Sequence, residues 1–266
     1  MTAPAAMPNP PAAEPVLELR AVSVASLREP SGALLEDVNW TVRRGDYWAI
    51  GGLLRSGKSD LLAVAAGLLR PARGESRLFG CDLFACHEAE QLAVRRRVGF
   101  VFDGGQLLHE LTLEQNVALP LRYHLAPGED EPAERIRALV ALTDLEPWAG
   151  RRPADVSRNW QQRFGLARAL ALQPELLLLD DPLSGLDPRD AGWWIETLAA
   201  LAAGHPLLDG RPLTLVVTGN DLRPWRDRAR RFALLQDCNF IALGEQAGLD
   251  SPGQPALTAL LRPWNS

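Results

Sequence analysis

Apolar residues recur along the 266-residue chain in two rhythms. Short unbroken runs, Tyr47-Trp48-Ala49-Ile50, Val98-Gly99-Phe100-Val101-Phe102, Leu176-Leu177-Leu178-Leu179 and residues 213–218, have the length and composition of strands buried on both faces. Between them Leu61, Leu62, Val64, Ala65, Leu68 and Leu69 fall at helical spacing up to Gly74, and residues 111–121 are amphipathic. The stretch from about 125 to 172 is helical in pattern, broken by the polar turn Pro127-Gly128-Glu129-Asp130-Glu131-Pro132. Two further short strands are predicted at 232–236 and 240–243. Strands separated by helices predict an α/β fold.

Composition narrows the function classes. With 47% hydrophobic residues the chain can bury a real core, yet it lacks the roughly 18 consecutive apolar residues of a membrane-spanning helix. A formal charge of -5 and a pI near 5.5 argue against a general nucleic-acid binder. Cys81, Cys86 and Cys238 give no disulfide framework and fit a reducing compartment. Cys81, Cys86 and His87 lack the second pair of ligands a structural zinc site needs, so they read as ordinary thiols. Residues 1–15, rich in proline and alanine, lack the basic start and apolar centre of a secretory signal and are expected to form a disordered tail.

Of the 28 basic residues all but Lys58 are arginine. A position that alone kept a lysine needs a compact ammonium rather than a planar fork. Lys58 lies in Gly52-Leu53-Leu54-Arg55-Ser56-Gly57-Lys58-Ser59, a glycine, four residues, then Gly-Lys-Ser, with a strand before it and a helix after it. In such a P-loop the backbone N–H groups curl around an anion and the helix N-terminus adds its dipole. The lysine reaches the terminal phosphates, and the serine hydroxyl, here that of Ser59, ligates magnesium. Further on, the four-leucine strand delivers Asp180 and Asp181 to its C-terminal edge, where open α/β sheets place ligand chemistry.

Together the P-loop, Asp180-Asp181-Pro182 and Ser184-Gly185-Leu186-Asp187-Pro188 resemble the nucleotide-binding subunit of an ATP-binding cassette (ABC) transporter. The resemblance covers about residues 16–245. It is strongest in Gly67-Leu68-Leu69-Arg70-Pro71 with Gly74, in Leu111-Thr112-Leu113-Glu114-Gln115-Asn116-Val117, and in Ala167-Arg168-Ala169-Leu170-Ala171-Leu172. Residues 98–121 look most like subunits of lipid-trafficking importers of the Mce-associated type. The resemblance implies a RecA-like P-loop NTPase core with a mixed sheet, an N-terminal antiparallel β segment and a helical subdomain at about 104–172. The nucleotide-binding domain would span 16–250 and a C-terminal extension 251–266. It also implies Mg-ATP as cofactor, Asp180 beside the magnesium, a second nucleotide-binding subunit, an integral-membrane permease, and a cytoplasmic place on the inner face of the plasma membrane.

The sequence departs from the family pattern where chemistry is expected. The signature Leu-Ser-Gly-Gly-Gln becomes Val156-Ser157-Arg158-Asn159-Trp160, which keeps Ser157 and loses both glycines. Asp103 replaces a glutamine that assists magnesium and water, Asp181 replaces the catalytic glutamate, and Gly219 stands for a histidine that contacts the γ-phosphate. Asp60 takes a Thr or Ser position near the α-phosphate, Arg55 replaces a loop glycine, and residues 23–27 offer no aromatic to stack on adenine. A carboxylate withdrawn by one methylene, about 1 Å, can cost roughly a hundredfold in rate. The expectation is therefore an ATP-binding, permease-associated subunit with impaired hydrolysis, against the alternative of a non-hydrolytic structural or regulatory subunit. A kinase or switch GTPase is disfavoured because no lid or guanine-reading segment is evident. The arginine runs 95–97 and 226–231 read as solvated faces, and Trp193-Trp194 reads as packing. His109, His124 and His205 have no catalytic spacing. A permease helix is expected to dock near residues 103–123.

Overall fold

The computed structural model describes residues 14–25, 33–125, 132–250 and 255–261. The proline-rich start, the turn at 127–131 and part of the adenine-side segment lie outside the described residues. A three-stranded antiparallel sheet is built from β1 (Pro15–Ala25), β2 (Ala33–Arg43) and β4 (Arg73–Leu78), in the order β2-β1-β4. A six-stranded sheet is built from β3 (Tyr47–Gly52), β5 (Val98–Val101), β6 (Leu176–Leu179), β7 (Thr214–Gly219), β8 (Arg231–Gln236) and β9 (Asn239–Gly244), in the order β5-β6-β7-β3-β8-β9. Its first five strands are parallel and β9 joins antiparallel to β8. The helices are α1 (Lys58–Ala65), α2 (Glu88–Arg95), α3 (Leu113–Tyr123), α4 (Ala133–Ala141), α5 (Arg158–Ala169), α6 (Pro188–Ala203) and α7 (Pro255–Leu261).

Side chains alternate across a strand, so a sheet covered on both faces needs apolar residues at every position. Tyr47, Ala49, Leu177, Leu179, Leu215 and Val217 enter one core with α3 to α7. Trp48, Ile50, Leu176, Leu178 and Val216 enter the other, with α1 and the antiparallel sheet. All four leucines of β6 are fully buried, and each contributes about 1.5–3 kcal/mol of transfer free energy. That burial fixes the C-terminal ends of β3, β6 and β7 side by side.

Two details correct the expected pattern. The helix predicted to run toward Gly74 ends at Ala65, because Gly67 adopts φ 67 and a Cβ there would lie 2.2 Å from Leu83 Cδ1. Leu68 consequently lies outside the helix and half exposed. Arg97 is not merely solvated: its guanidinium sits 3.6 Å from the Phe79 ring centre and pairs with Glu175 at 2.5 Å. At the other end of the chain, Leu257 and Leu260 of α7 are buried, and a Cβ on Gly51 would lie 2.7 Å from Leu260 Cδ1. The helix thus packs beneath the strand that carries the P-loop. Among the described residues no helix is long and apolar enough to cross a membrane.

Candidate functional site

The loop after β3 turns on residues with positive φ. Gly57 (φ 88) caps α1, and Arg55 holds φ 65, a left-handed conformation costing a side-chain-bearing residue roughly 1–2 kcal/mol. In α1 the Leu61 N–H bonds back to Gly57 O at 2.9 Å, and the N–H groups before it are those a helix start leaves without intrahelical acceptors. Lys58 is buried, and its Nζ donates to Gly52 O (2.6 Å) and Leu53 O (3.0 Å) inside the curl. Burial lowers the ammonium pKa, opposed by the charges of Asp181 and then Asp180. Ser56 Oγ is buried with no hydrogen-bond partner, and a Cβ on Gly52 would lie 2.3 Å from it. A cradle too tight for a side chain, an unpartnered hydroxyl and a sequestered cation fit a polyphosphate. Leu53 and Leu54 at the tip of the loop are exposed, and so is Ser59 beside the buried Lys58.

The carboxylates arrive from β6. Asp180 is buried. Desolvation raises its pKa, while hydrogen bonds from Ser59 and Thr218 hold it down. Thr218 Oγ1, from β7, donates to Asp180 Oδ1 at 3.1 Å and accepts from the Asp181 N–H at 3.1 Å. One hydroxyl therefore orients both residues, a role the sequence reading missed because Thr218 lies on a neighbouring strand. A hard-oxygen pair formed by the Ser59 hydroxyl and the Asp180 carboxylate suits magnesium. Asp181 has φ 44, and burial pushes its carboxyl up to about 6 despite the attraction of Lys58. Gly219 ends β7 beside it, where a Cβ would be 3.8 Å from Asp181 Oδ1 and no closer than 3.5 Å to any other heavy atom.

The signature segment begins α5. Ser157 is its N-cap, accepting from the Trp160 N–H at 3.3 Å. Arg158 turns back onto its own chain, pairing with Asp103 Oδ2 at 2.6 Å and lying over Gly104, where a Cβ would be 2.6 Å from its Nε. Asn159 donates to Asp190 at the start of α6, and Arg163 pairs with the same carboxylate at 2.6 Å while lying 4.0 Å from the Trp193 ring centre. The loop after β5 is clamped to α5 by Arg168, which donates to Gly105 O (2.8 Å) and Gln106 O (3.0 Å). Asp103, Asp180, Asp181, Lys58, Ser59 and Gly219 thus surround one site. Asp60, half-buried, stands in the first turn of α1. Residues 23–25 of the segment searched for an adenine aromatic lie in β1, and the rest falls outside the described residues.

A strand, glycine curl and helix facing an aspartate from the next parallel strand but one define a P-loop nucleotide-binding protein. The more particular assignment comes from comparison: the family model for the ABC transporter matches residues 35–184, and the chain belongs to that family. It is 33% identical over 229 residues to the methionine import ATP-binding protein MetN of Rhizobium johnstonii, covering 86% of this chain and 61% of that protein. It is 32% identical over 234 residues to a probable anion import ATP-binding protein of Haloferax volcanii, covering 83% of this chain and 78% of that one. The probable ribonucleotide transport ATP-binding protein mkl of Mycobacterium tuberculosis is 37% identical over 158 residues, 59% of this chain and 44% of its own. The chain therefore spans about three fifths of the methionine importer subunit and less than half of mkl. Among solved structures, the dimeric post-hydrolysis ATP-binding cassette MJ0796 bound to ADP and Pi superposes with a TM-score of 0.72 at 28% identity. The superposition covers 84% of this chain and 95% of that chain.

Proposed function

We propose that this chain is the Mg-ATP-binding subunit of an importer-type ABC transporter, placed on the cytoplasmic face of the membrane by a permease and paired with a second nucleotide-binding subunit. The observation that carries this reading is the buried Lys58 ammonium inside the loop of residues 52–59, next to Asp180 and Asp181. Gly52, Leu53, Leu54, Arg55, Ser56 and Gly57 supply the backbone curl and Lys58 the cation. Asp60 ends the loop as a like charge that lowers affinity. Ser59 and Asp180 would hold magnesium, which supplies charge neutralisation of the phosphates when bound. Asp181 is the base that accepts a proton from water, Asp103 assists it, and Gly219 leaves the γ-phosphate side without an imidazole. Ser157 is the signature residue that faces the partner subunit's nucleotide.

Hydrolysis in this reading is slow. Asp181 is a methylene shorter than glutamate, and Arg158 and Asn159 fill positions where glycine would let main-chain N–H groups approach a phosphate. The alternative, a non-hydrolytic structural or regulatory subunit, is favoured by one observation: Arg158 is committed to Asp103 of its own chain. The relatives carry names for methionine, anion and ribonucleotide transport, so one cassette fold serves unlike cargoes and the permease chooses among them. Purification from membranes with the co-purifying permease, followed by Mg-nucleotide titration and phosphate-release assays, tests the proposal. Saturable binding with slow, Lys58-dependent release is expected. Release at ordinary family rates would refute the impairment, and absence of saturable binding would refute the assignment. For docking, Leu107 is buried and Leu108 is 47% exposed, so Leu108→Glu is the clean probe. It should reduce permease recovery without loss of fold, and unchanged recovery counts against docking at 103–123.

A further inference from the structure

We propose that Cys81, Cys86 and Glu90, which follow α1 and β4 in the chain, form an open binding site for a thiophilic divalent cation of the zinc class. Sequence spacing pairs the two cysteines with His87, yet His87 is exposed at the N-cap of α2 and is not part of the cluster. The third donor is Glu90, one helical turn after Cys86, and the two sulfurs and a carboxylate oxygen all lie within 4.8 Å of one another.

The local fold builds this arrangement. Leu78 and Cys81 exchange backbone hydrogen bonds at 2.9 Å in each direction, which fixes Cys81 at the end of a tight turn. The Cys86 N–H bonds to Asp82 O at 3.0 Å, folding the chain so that the two sulfurs stand 2.7 Å apart. Gln91 Nε2 donates to Cys86 O at 3.0 Å, and a Glu90 carboxylate oxygen lies within 4.8 Å of the Cys81 sulfur. Cys81 is buried in the apolar core cluster that includes Leu78 and Leu83, Cys86 is half-buried and Glu90 is exposed. The site therefore has a dry floor and an open mouth where water completes a tetrahedron.

Two thiolates and one carboxylate select zinc-class ions over magnesium or calcium, which prefer all-oxygen shells. A tetrahedral ion about 2.3 Å from each sulfur requires them to separate to about 3.7 Å. The half-exposed Cys86 can supply that movement by rotating its side chain.

The test uses the full chain, reduced and freed of metal, with Mg2+ and ATP in excess so that the phosphate site does not take up the probe. Titration with Cd2+ should give one equivalent with a thiolate-to-metal charge-transfer band, and Zn2+ should compete with a chromophoric chelator and raise Tm. Cys86→Ser leaves the Cys81 thiolate, so it should roughly halve the band at saturation and weaken binding about a hundredfold, and Glu90→Gln should weaken it about tenfold. Neither side chain is in the core, so both variants should keep the wild-type far-ultraviolet spectrum. Cys238→Ser, which removes the remaining, exposed thiol, should leave stoichiometry and band unchanged. A band and affinity that Cys86→Ser leaves undiminished, a band that disappears with Cys238→Ser, or the absence of stoichiometric binding to reduced protein overturns the proposal.

Discussion

Replacing Lys58 by alanine separates binding from folding at this site. The Nζ makes two hydrogen bonds to loop carbonyls, at 2.6 and 3.0 Å, and must surrender them to reach an anion. Two neutral acceptors are thereby exchanged for a polyphosphate. A hydrogen bond between charged groups contributes roughly 1.5–3 kcal/mol, which at 1.36 kcal/mol per decade corresponds to a 10- to 150-fold loss of affinity in Lys58→Ala. The empty protein behaves differently. Burial already disfavours the ammonium, and the variant loses a desolvated charge together with its two carbonyl contacts, so stability should change by only about 1 kcal/mol. Titration of wild type and variant with a fluorescent Mg-nucleotide, alongside denaturant unfolding of both empty proteins, measures the two quantities. An affinity within threefold of wild type would show that the phosphate does not lie in this loop. A large loss accompanied by collapse of the fold would show that the lysine is structural.

Three further outcomes follow from packing and charge. Glu175 accepts from Arg97 and Arg44 at 2.5 Å each, joining the start of β6 to the ends of β2 and α2. These arginines hold its carboxyl below the ordinary value of 4.5, so the wild-type advantage over Glu175→Gln, about 1 kcal/mol for such half-exposed pairs, is complete above that value. The advantage should shrink as pH falls through the lower folded-state value, and unfolding midpoints between pH 3 and 7 check it. Gly165→Ala, which in a free helix gains about 1 kcal/mol, should instead lose about 1–3 kcal/mol in chemical denaturation, because its Cβ would lie 2.9 Å from Gly105 Cα, a backbone atom that cannot rotate away. The double variant Asp181→Glu with Gly219→His should raise phosphate release roughly tenfold or more. Gly219 has room for a Cβ beside Asp181, and an unchanged rate with intact nucleotide binding would remove both positions from the account of slow turnover.

What could be read in the sequence was what is local. The P-loop is contiguous, so its curl and its lysine were legible as a string. The four-leucine strand is equally self-declaring, because a sheet buried on both faces leaves no polar position to blur it. The limits were contacts between segments. Periodicity continued through Leu68 and Leu69, but the helix obeyed Gly67, whose left-handed φ and contact with Leu83 end it. Arg97 looked like one of three solvated arginines because its partners, Glu175 and Phe79, belong to other elements. Thr218 carries no motif of its own and became informative only when β7 placed its hydroxyl between Asp180 and Asp181. Glu90 was passed over for His87 because spacing along the chain does not say which donor a helix turns toward a pair of sulfurs.

The same distinction bears on Arg158 and Asp103, which the sequence presents as two unrelated losses. Relative to a glutamine and a glycine they add one negative and one positive charge, and the structure sets those charges 2.6 Å apart. The pair is therefore electrically closed, and its effect on an incoming polyphosphate through net charge is small. Both side chains are substantially exposed, so the bond itself contributes no more than about 1 kcal/mol. What remains is geometry. The arginine covers Gly104 and occupies the start of α5, and reaching a partner's nucleotide would require it to leave Asp103 first. In the proposed reading a weak but correctly placed tether of this kind would slow closure over a nucleotide without altering the fold that binds it, so binding and turnover would be governed by different residues in this chain.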